Sequence, residues 1–337
     1  MSDAFQGKSA DLGETRAVVV IHEGRLVHEQ YAPGFAPDTR LISWSMAKSV
    51  TQALVGVAVQ QHKVDIDRPM GNPQWAANDP RAAIPWRTWL QMTDGQRYLE
   101  IEAKNITDSD ASRKLFGPGR LDVARYCAGL PLIHEPGTHW NYNSCGIVLT
   151  ADALTRAIVP QPRSAPARRT AMLEWMRENL FTIIGMNAQP EFDAAGLYYG
   201  SALIYASARD FAKFGLLYLR DGVWDGRRVL PEGWVDFART PGTSTNGNLY
   251  GAGWWVAPSE GDGRPYPWHI DTESGRDGFS AEGFEGQFIM IMPSKNLIVV
   301  RLGLTNEQQL RTGEVRRWMG RVARAFGAAP ATTVAAQ

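Results

Sequence analysis

Ser45-Met46-Ala47-Lys48-Ser49-Val50-Thr51-Gln52-Ala53-Leu54-Val55-Gly56-Val57-Ala58 sets a serine and a lysine three positions apart at the head of an apolar run. On a helix, residues three apart lie on one face about one turn from each other, so the Lys48 amine can reach the Ser45 hydroxyl. A serine hydroxyl is a weak nucleophile until a neighbour takes its proton, and this spacing supplies the neighbour locally. Val50, Ala53, Leu54, Val57 and Ala58 recur at helical spacing, which predicts a buried helix over 49–61 that holds the pair rigidly. The free backbone N–H groups and positive end of such a helix suit an oxyanion forming beside Ser45. No other Ser-x-x-Lys occurs in the chain. Alone, the motif also fits a solvated serine near a helix start with a surface lysine, so its meaning depends on its company.

The 337 residues carry 44% hydrophobic content, enough for a large core and one or two domains. Thirty-five basic and 35 acidic side chains give a formal net charge of zero. With no long basic run, neither nucleic acid nor a membrane surface is expected as a partner. Cys127 and Cys145 make neither a disulfide framework nor a Cys-x-x-Cys zinc pair, and free core thiols are expected. Residues 1–13 hold no apolar leader segment and no stretch reaches the length of a membrane span, so a soluble, cytoplasmic protein is expected.

Two hairpins stand out near the chain ends. Arg16 to Ile21 and Arg25 to Tyr31 flank a Glu23-Gly24 turn, and Gln287 to Met292 and Leu297 to Arg301 flank Pro293-Ser-Lys-Asn296. Between them the chain is helical and irregular, rich in Trp, Pro and Gly, with an exposed loop expected over 160–169. Phe211, Phe214, Leu217 and Tyr218 predict a helix within 206–220, and 306–326 reads as a closing amphipathic helix. The fold class expected is α+β: one antiparallel sheet built from both chain ends and flanked by helices, with a mainly helical subdomain in the middle. The sheet unit is drawn over 14–69 and 185–326 and the helical one over 70–184, with flexible tails at 1–13 and 327–337.

Two further segments carry candidate chemistry. Pro136-Gly-Thr-His-Trp-Asn-Tyr142-Asn143-Ser144 places a tyrosine on an aromatic loop ahead of an apolar helix. A nearby lysine cation would lower the phenol from its usual value of about 10, letting Tyr142 share proton transfer with Lys48. A buried tyrosine tied to backbone is the structural alternative. Ala281-Glu282-Gly283-Phe284-Glu285-Gly286 leads into the strand 287–292, and its glycines would let a substrate approach the strand closely. A backbone N–H at this edge could complete an oxyanion hole with that of Ser45. A glycine-rich bulge without chemistry is the plainer reading of the segment alone.

In this order, Leu41-Ile-Ser-Trp-Ser-Met-Ala-Lys-Ser49, Pro136 to Tyr142, Ala206-Ser-Ala-Arg-Asp-Phe211 and Gly283-Phe-Glu-Gly-Gln287 resemble the serine β-lactamase and penicillin-binding-protein superfamily. The likeness is to its class C-like esterase branch, and within it to the 6-aminohexanoate-dimer hydrolases, over about 16–303. The resemblance implies a β-lactamase/DD-peptidase-like fold, Ser45 as nucleophile, Lys48 as its activating partner and Tyr142 as general base and acid. It implies an oxyanion hole from the backbone N–H groups of Ser45 and Phe284. Asn143, Ser144, Ala281, Gly283, Trp140 and His269 are the substrate-binding candidates, with Trp44, Trp254, Trp255 and Trp268 as further cleft walls and Asp271 beside His269. Two departures matter. The family's second motif is commonly Tyr-x-Asn, whereas Ser144 holds the third position and Asn143 stands one step early. The cation that opens the third motif of penicillin-recognising members is replaced by Ala281, which disfavours β-lactams unless Arg276 or another cation substitutes.

Other hydrolase types fit less well. The nearest nucleophile elbow, Gly278-Phe-Ser280-Ala-Glu282, ends in Glu where Gly is needed, and none of the six histidines sits in His-Glu-x-x-His. The expected function is a serine hydrolase that forms an acyl-enzyme with a small carboxylic ester or linear amide, without cofactor or metal. β-Lactamase or DD-peptidase activity, and a non-catalytic binding module on the same fold, are the alternatives.

Overall fold

The alternating apolar pattern of residues 14–31 and 279–304 builds one sheet. The computed structural model describes residues 2–5, 12–101, 103–161, 164–245, 249–256 and 277–327. Strands Glu14–His22 and Arg25–Tyr31 pair antiparallel across a two-residue turn, where Glu23 (φ 52°) and Gly24 (φ 73°) take the left-handed conformation such a tight turn requires. Gln287–Met292 and Leu297–Leu304 form the second hairpin, and Leu297–Leu304 pairs antiparallel with Glu14–His22. Among the described residues, the chain ends thus meet in the middle of a six-stranded sheet. Its order is Arg25–Tyr31, Glu14–His22, Leu297–Leu304, Gln287–Met292, Phe279–Gly283, Trp255–Val256.

Strand alternation sends neighbouring side chains to opposite faces, and both faces are covered. Val19, Ile289, Ile298 and Val300 join the main core with the helices Ala47–Gln60 and Ala208–Leu219. Val18, Val20, Met290 and Val299 face Val315, Trp318, Met319 and Val322 of the helix Glu314–Arg324. The closing helix is two pieces, Glu307–Arg311 and Glu314–Arg324, because Gly313 turns left-handed (φ 73°) between them. The N-terminal tail is not free along its described length. Ala4 and Leu12 are buried in the second core, and the Trp318 Nε1–H donates to Asp3 at 3.3 Å.

The middle of the chain is helical: Trp86–Leu90, Asp110–Leu115, Val123–Ala128, Ser144–Ile158 and Ala165–Met176. The last of these corrects the loop expected over 160–169. Ser164 caps it by accepting from the Ala167 N–H at 3.3 Å, with Pro166 in its first turn, where proline's missing N–H costs nothing. The cysteines are also corrected: Cys127 and Cys145 form a disulfide joining the helices Val123–Ala128 and Ser144–Ile158. Two thiols 18 residues apart give no framework pattern, and only the packing of these helices brings them within reach. Among the described residues, no helix is long and apolar enough to cross a membrane.

Candidate active site

Ser45 lies in the 3-10 turn Trp44–Met46, which runs straight into the helix Ala47–Gln60. Ser43 anchors the turn: its N–H donates to the Ile204 carbonyl (2.8 Å) and its hydroxyl accepts from the Ile204 N–H (3.1 Å). Every residue from Ala47 to Ala58 is buried, so the helix is clamped on all sides. Lys48, 1% exposed, donates through Nζ to Ser45 Oγ at 2.7 Å and to the Ser201 carbonyl at 3.1 Å. Burial pushes the Lys48 amine down to about 8, while the Glu100 carboxylate favours its charged form. A lysine so shifted exists in part as a free amine near neutral pH and can accept the Ser45 proton across that short contact.

Tyr142 lies against Lys48, whose Nζ is 4.7 Å from the centre of the phenol ring. Its loop is pinned to the 92–98 segment: Asn141 donates from its backbone to the Met92 carbonyl (3.0 Å) and from Nδ2 to the Tyr98 carbonyl (2.9 Å). Tyr142 stacks on Trp255 (centroids 5.5 Å apart, 19° between planes) and meets Tyr250 edge-on at 5.9 Å, with Trp140 6.1 Å from Trp255. The expected downward shift of its hydroxyl is reversed. Burial raises it well above the ordinary phenol value, coupling to the neighbouring Tyr250 phenol and the Glu100 carboxylate acts in the same direction, and a hydrogen bond with Ser45 only partly offsets it. Desolvation of the phenolate is the largest effect and sets the direction. Tyr142 is therefore a neutral phenol, able to pass a proton on but not to serve as a standing base.

The third segment ends the strand Phe279–Gly283 and turns over Phe284–Gly286, with Glu285 left-handed at φ 62°. A Cβ on Gly283 would sit 2.3 Å from the Ser43 carbonyl oxygen and 3.2 Å from Trp44 Cβ. The backbone that needs this bare glycine is the nucleophile's own turn, not a substrate as the sequence suggested. The close approach brings the chain carrying the Phe284 N–H alongside the turn carrying that of Ser45.

The remaining candidates divide. Asn143 is corrected: its Oδ1 accepts from the Gly146 N–H (3.0 Å) to cap the helix Ser144–Ile158, and its Nδ2 donates to Asp94 (2.9 Å). That side chain, 1% exposed, is committed to the fold. Ser144 is buried in the helix's first turn. Ala281 is buried on the core face, so its methyl group packs into the core and supplies no charge at that position. Trp140 and Trp255 belong to the aromatic group around Tyr142, whereas Trp254 is core, stacked on Phe214 at 5.9 Å. His269, Trp268, Asp271 and Arg276 lie outside the described residues.

Three residues at the site carry no signal in the sequence. Lys114, 1% exposed on the short helix Asp110–Leu115, donates to Ser201 Oγ at 2.8 Å, while the Ser201 carbonyl holds Lys48. Burial pushes Lys114 down to about 7, with Glu100 opposing the shift and the Lys48 charge adding to it. Glu100 is thus the carboxylate whose field acts on both amines. Arg113-Lys114 reads as a solvated charge pair, and no local spacing ties it to Ser45. Among the described residues, no cluster of three or more His, Cys, Asp or Glu side chains could hold a metal ion.

An antiparallel sheet made from both chain ends, a Ser-x-x-Lys helix beneath it and a tyrosine loop facing the lysine define the class, and the chain belongs to the Beta-lactamase family, whose model matches residues 13–323. It is 23% identical over 315 residues to the 6-aminohexanoate-dimer hydrolase of Paenarthrobacter ureafaciens, covering 91% of this chain and 75% of that protein. The solved penicillin-binding protein of Bacillus halodurans superposes with a TM-score of 0.66 at 15% identity, covering 92% of this chain and 98% of that one. A class C β-lactamase of Rhodobacter sphaeroides gives 0.64 at 16% identity, covering 96% and 98%. At these identities the solved structures establish the fold.

Proposed function

We propose that this chain is a serine hydrolase that acts through an acyl-enzyme on small carboxylic esters or linear amides. The observation that carries the reading is the 2.7 Å contact between Ser45 Oγ and a fully buried Lys48 shifted down to about 8. The Ser45 oxygen attacks the carbonyl carbon and its proton passes to the Lys48 amine. The negative charge on the carbonyl oxygen is met by the N–H groups of Ser45 and Phe284. As the intermediate collapses, the leaving group takes a proton through the Tyr142 hydroxyl, which is replenished from the Lys48 ammonium. Water then repeats the sequence on the acyl-enzyme and restores Ser45.

The likeness to a 6-aminohexanoate-dimer hydrolase supports linear amides as one substrate class. The apolar Ala281 weighs against penicillins, since a missing charge-assisted bond to their carboxylate costs about 1.5–3 kcal/mol of binding. The test is hydrolysis of p-nitrophenyl butyrate by wild type and Ser45→Ala, purified side by side. Turnover lost in the variant supports the proposal; turnover that survives it assigns the reaction to another nucleophile.

A further inference from the structure

Both N–H groups assigned to the oxyanion hole sit next to a non-glycine residue in the left-handed conformation. Trp44 (φ 42°) immediately precedes Ser45, and Glu285 (φ 62°) immediately follows Phe284. Such residues persist in this conformation only where their surroundings hold them. The two hold each other: the Trp44 Nε1–H donates to Glu285 Oε2 at 2.8 Å, and the Trp44 ring meets Phe284 edge-on at 5.8 Å and 86°. Behind the turn, the Glu285 carbonyl accepts from the Thr305 N–H (3.0 Å) and from Gln287 Nε2 (3.1 Å). The buried Arg301 donates to the Gly286 carbonyl at 2.8 Å. The Phe284 turn is therefore fastened to the sheet on one side and, through Glu285, to the nucleophile's turn on the other.

We infer that the Trp44–Glu285 hydrogen bond is a latch that sets the spacing of the two oxyanion donors, making Trp44 and Glu285 positioning residues for the hydrolysis. This rests on the serine-hydrolase reading above. The latch joins side chains 241 positions apart. Without it, Phe284 and Ser45 are related through the bare backbone contact at Gly283 and the edge-on Trp44–Phe284 ring contact, neither of which is a hydrogen bond. Donors that are slightly misplaced bind a ground-state carbonyl almost as well but lose much of their hold on the transition state. The expected signature is a fall in kcat with little change in KM.

The test measures kcat and KM for p-nitrophenyl butyrate with wild type, Ser45→Ala, Trp44→Phe, Glu285→Ala, Glu285→Gln and the Trp44→Phe/Glu285→Ala double variant. Circular dichroism melts confirm that each variant is folded. Trp44→Phe and Glu285→Ala should each lose roughly tenfold to a hundredfold in kcat, the scale of a small misplacement at a reacting centre. Glu285→Gln keeps an oxygen that accepts the indole N–H and should recover most of that loss. The double variant should be little worse than either single, because both break one bond. A Ser45-dependent rate indifferent to Glu285→Ala, a glutamine variant as slow as the alanine one, or fully additive losses would overturn the latch alone. A rate unaffected by Ser45→Ala would overturn the serine reading and the latch with it.

Discussion

If Lys48 takes the Ser45 proton, the rate must follow the fraction of Lys48 present as free amine. Its shift from an ordinary lysine value to about 8 corresponds to roughly 3 kcal/mol of disfavoured charge, at about 1.4 kcal/mol per pH unit. At pH 7 about one Lys48 in ten is then a free amine, against about three in ten thousand for an unshifted lysine, a gain of about 300-fold. The kcat/KM profile should rise about tenfold per pH unit below 8 and level off above it, because the limb reports the free enzyme's base. Tyr142, pushed above the ordinary phenol value, should add no descending limb below about pH 10. Glu100 supplies the sign test. Its carboxylate stabilises the Lys48 ammonium, so Glu100→Gln should move the limb to lower pH and raise the rate near neutrality relative to its own plateau. The assay is p-nitrophenyl butyrate hydrolysis from about pH 6 to about pH 9, corrected for spontaneous cleavage. A flat profile, or a limb that moves to higher pH in Glu100→Gln, would refute the assignment of Lys48 as the base.

Tyr142→Phe should slow amide hydrolysis more than p-nitrophenyl ester hydrolysis, since an amine must be protonated to leave; equal losses on both would contradict its role as proton donor. Removing the cross-link with Cys127→Ala/Cys145→Ala reopens a loop 18 residues apart in sequence and should cost about 3 kcal/mol by urea denaturation. Wild type unaffected by reductant and as stable as the double variant would contradict it. Gly283→Ala would place a methyl group 2.3 Å from the Ser43 carbonyl and should lose most activity while keeping its fold; full activity would show that the two turns are not as closely apposed as described.

What the sequence discloses is what local spacing encodes. The two hairpins follow from period-two alternation and their turn residues, and the Ser45–Lys48 pair from a single helical turn, so both are visible without tertiary knowledge. Ser207 likewise caps the helix Ala208–Leu219, its Oγ accepting from the Asp210 N–H, as a local pattern can specify. What stays hidden depends on convergence. Lys114 reaches Ser201 across 87 positions, Cys127 meets Cys145 through helix packing, and the Phe284 turn meets Trp44 through Glu285. The direction of the Tyr142 shift fails for the same reason. Proximity of Lys48 is legible, but burial of both groups among Trp255, Tyr250 and the helices is not, and burial decides the sign. Asn143 misleads because a residue beside a catalytic tyrosine and a residue that caps the next helix look alike in sequence.

The most direct measurement is the mass of the enzyme during turnover. Wild type mixed with p-nitrophenyl butyrate and quenched in acid within the first turnovers should carry one butyryl group, located on Ser45 by peptide mapping, and Tyr142→Phe should accumulate more of it if the phenol also serves deacylation. Butyryl groups on another residue, or Ser45-independent turnover with no adduct on Ser45, would contradict the acyl-enzyme account.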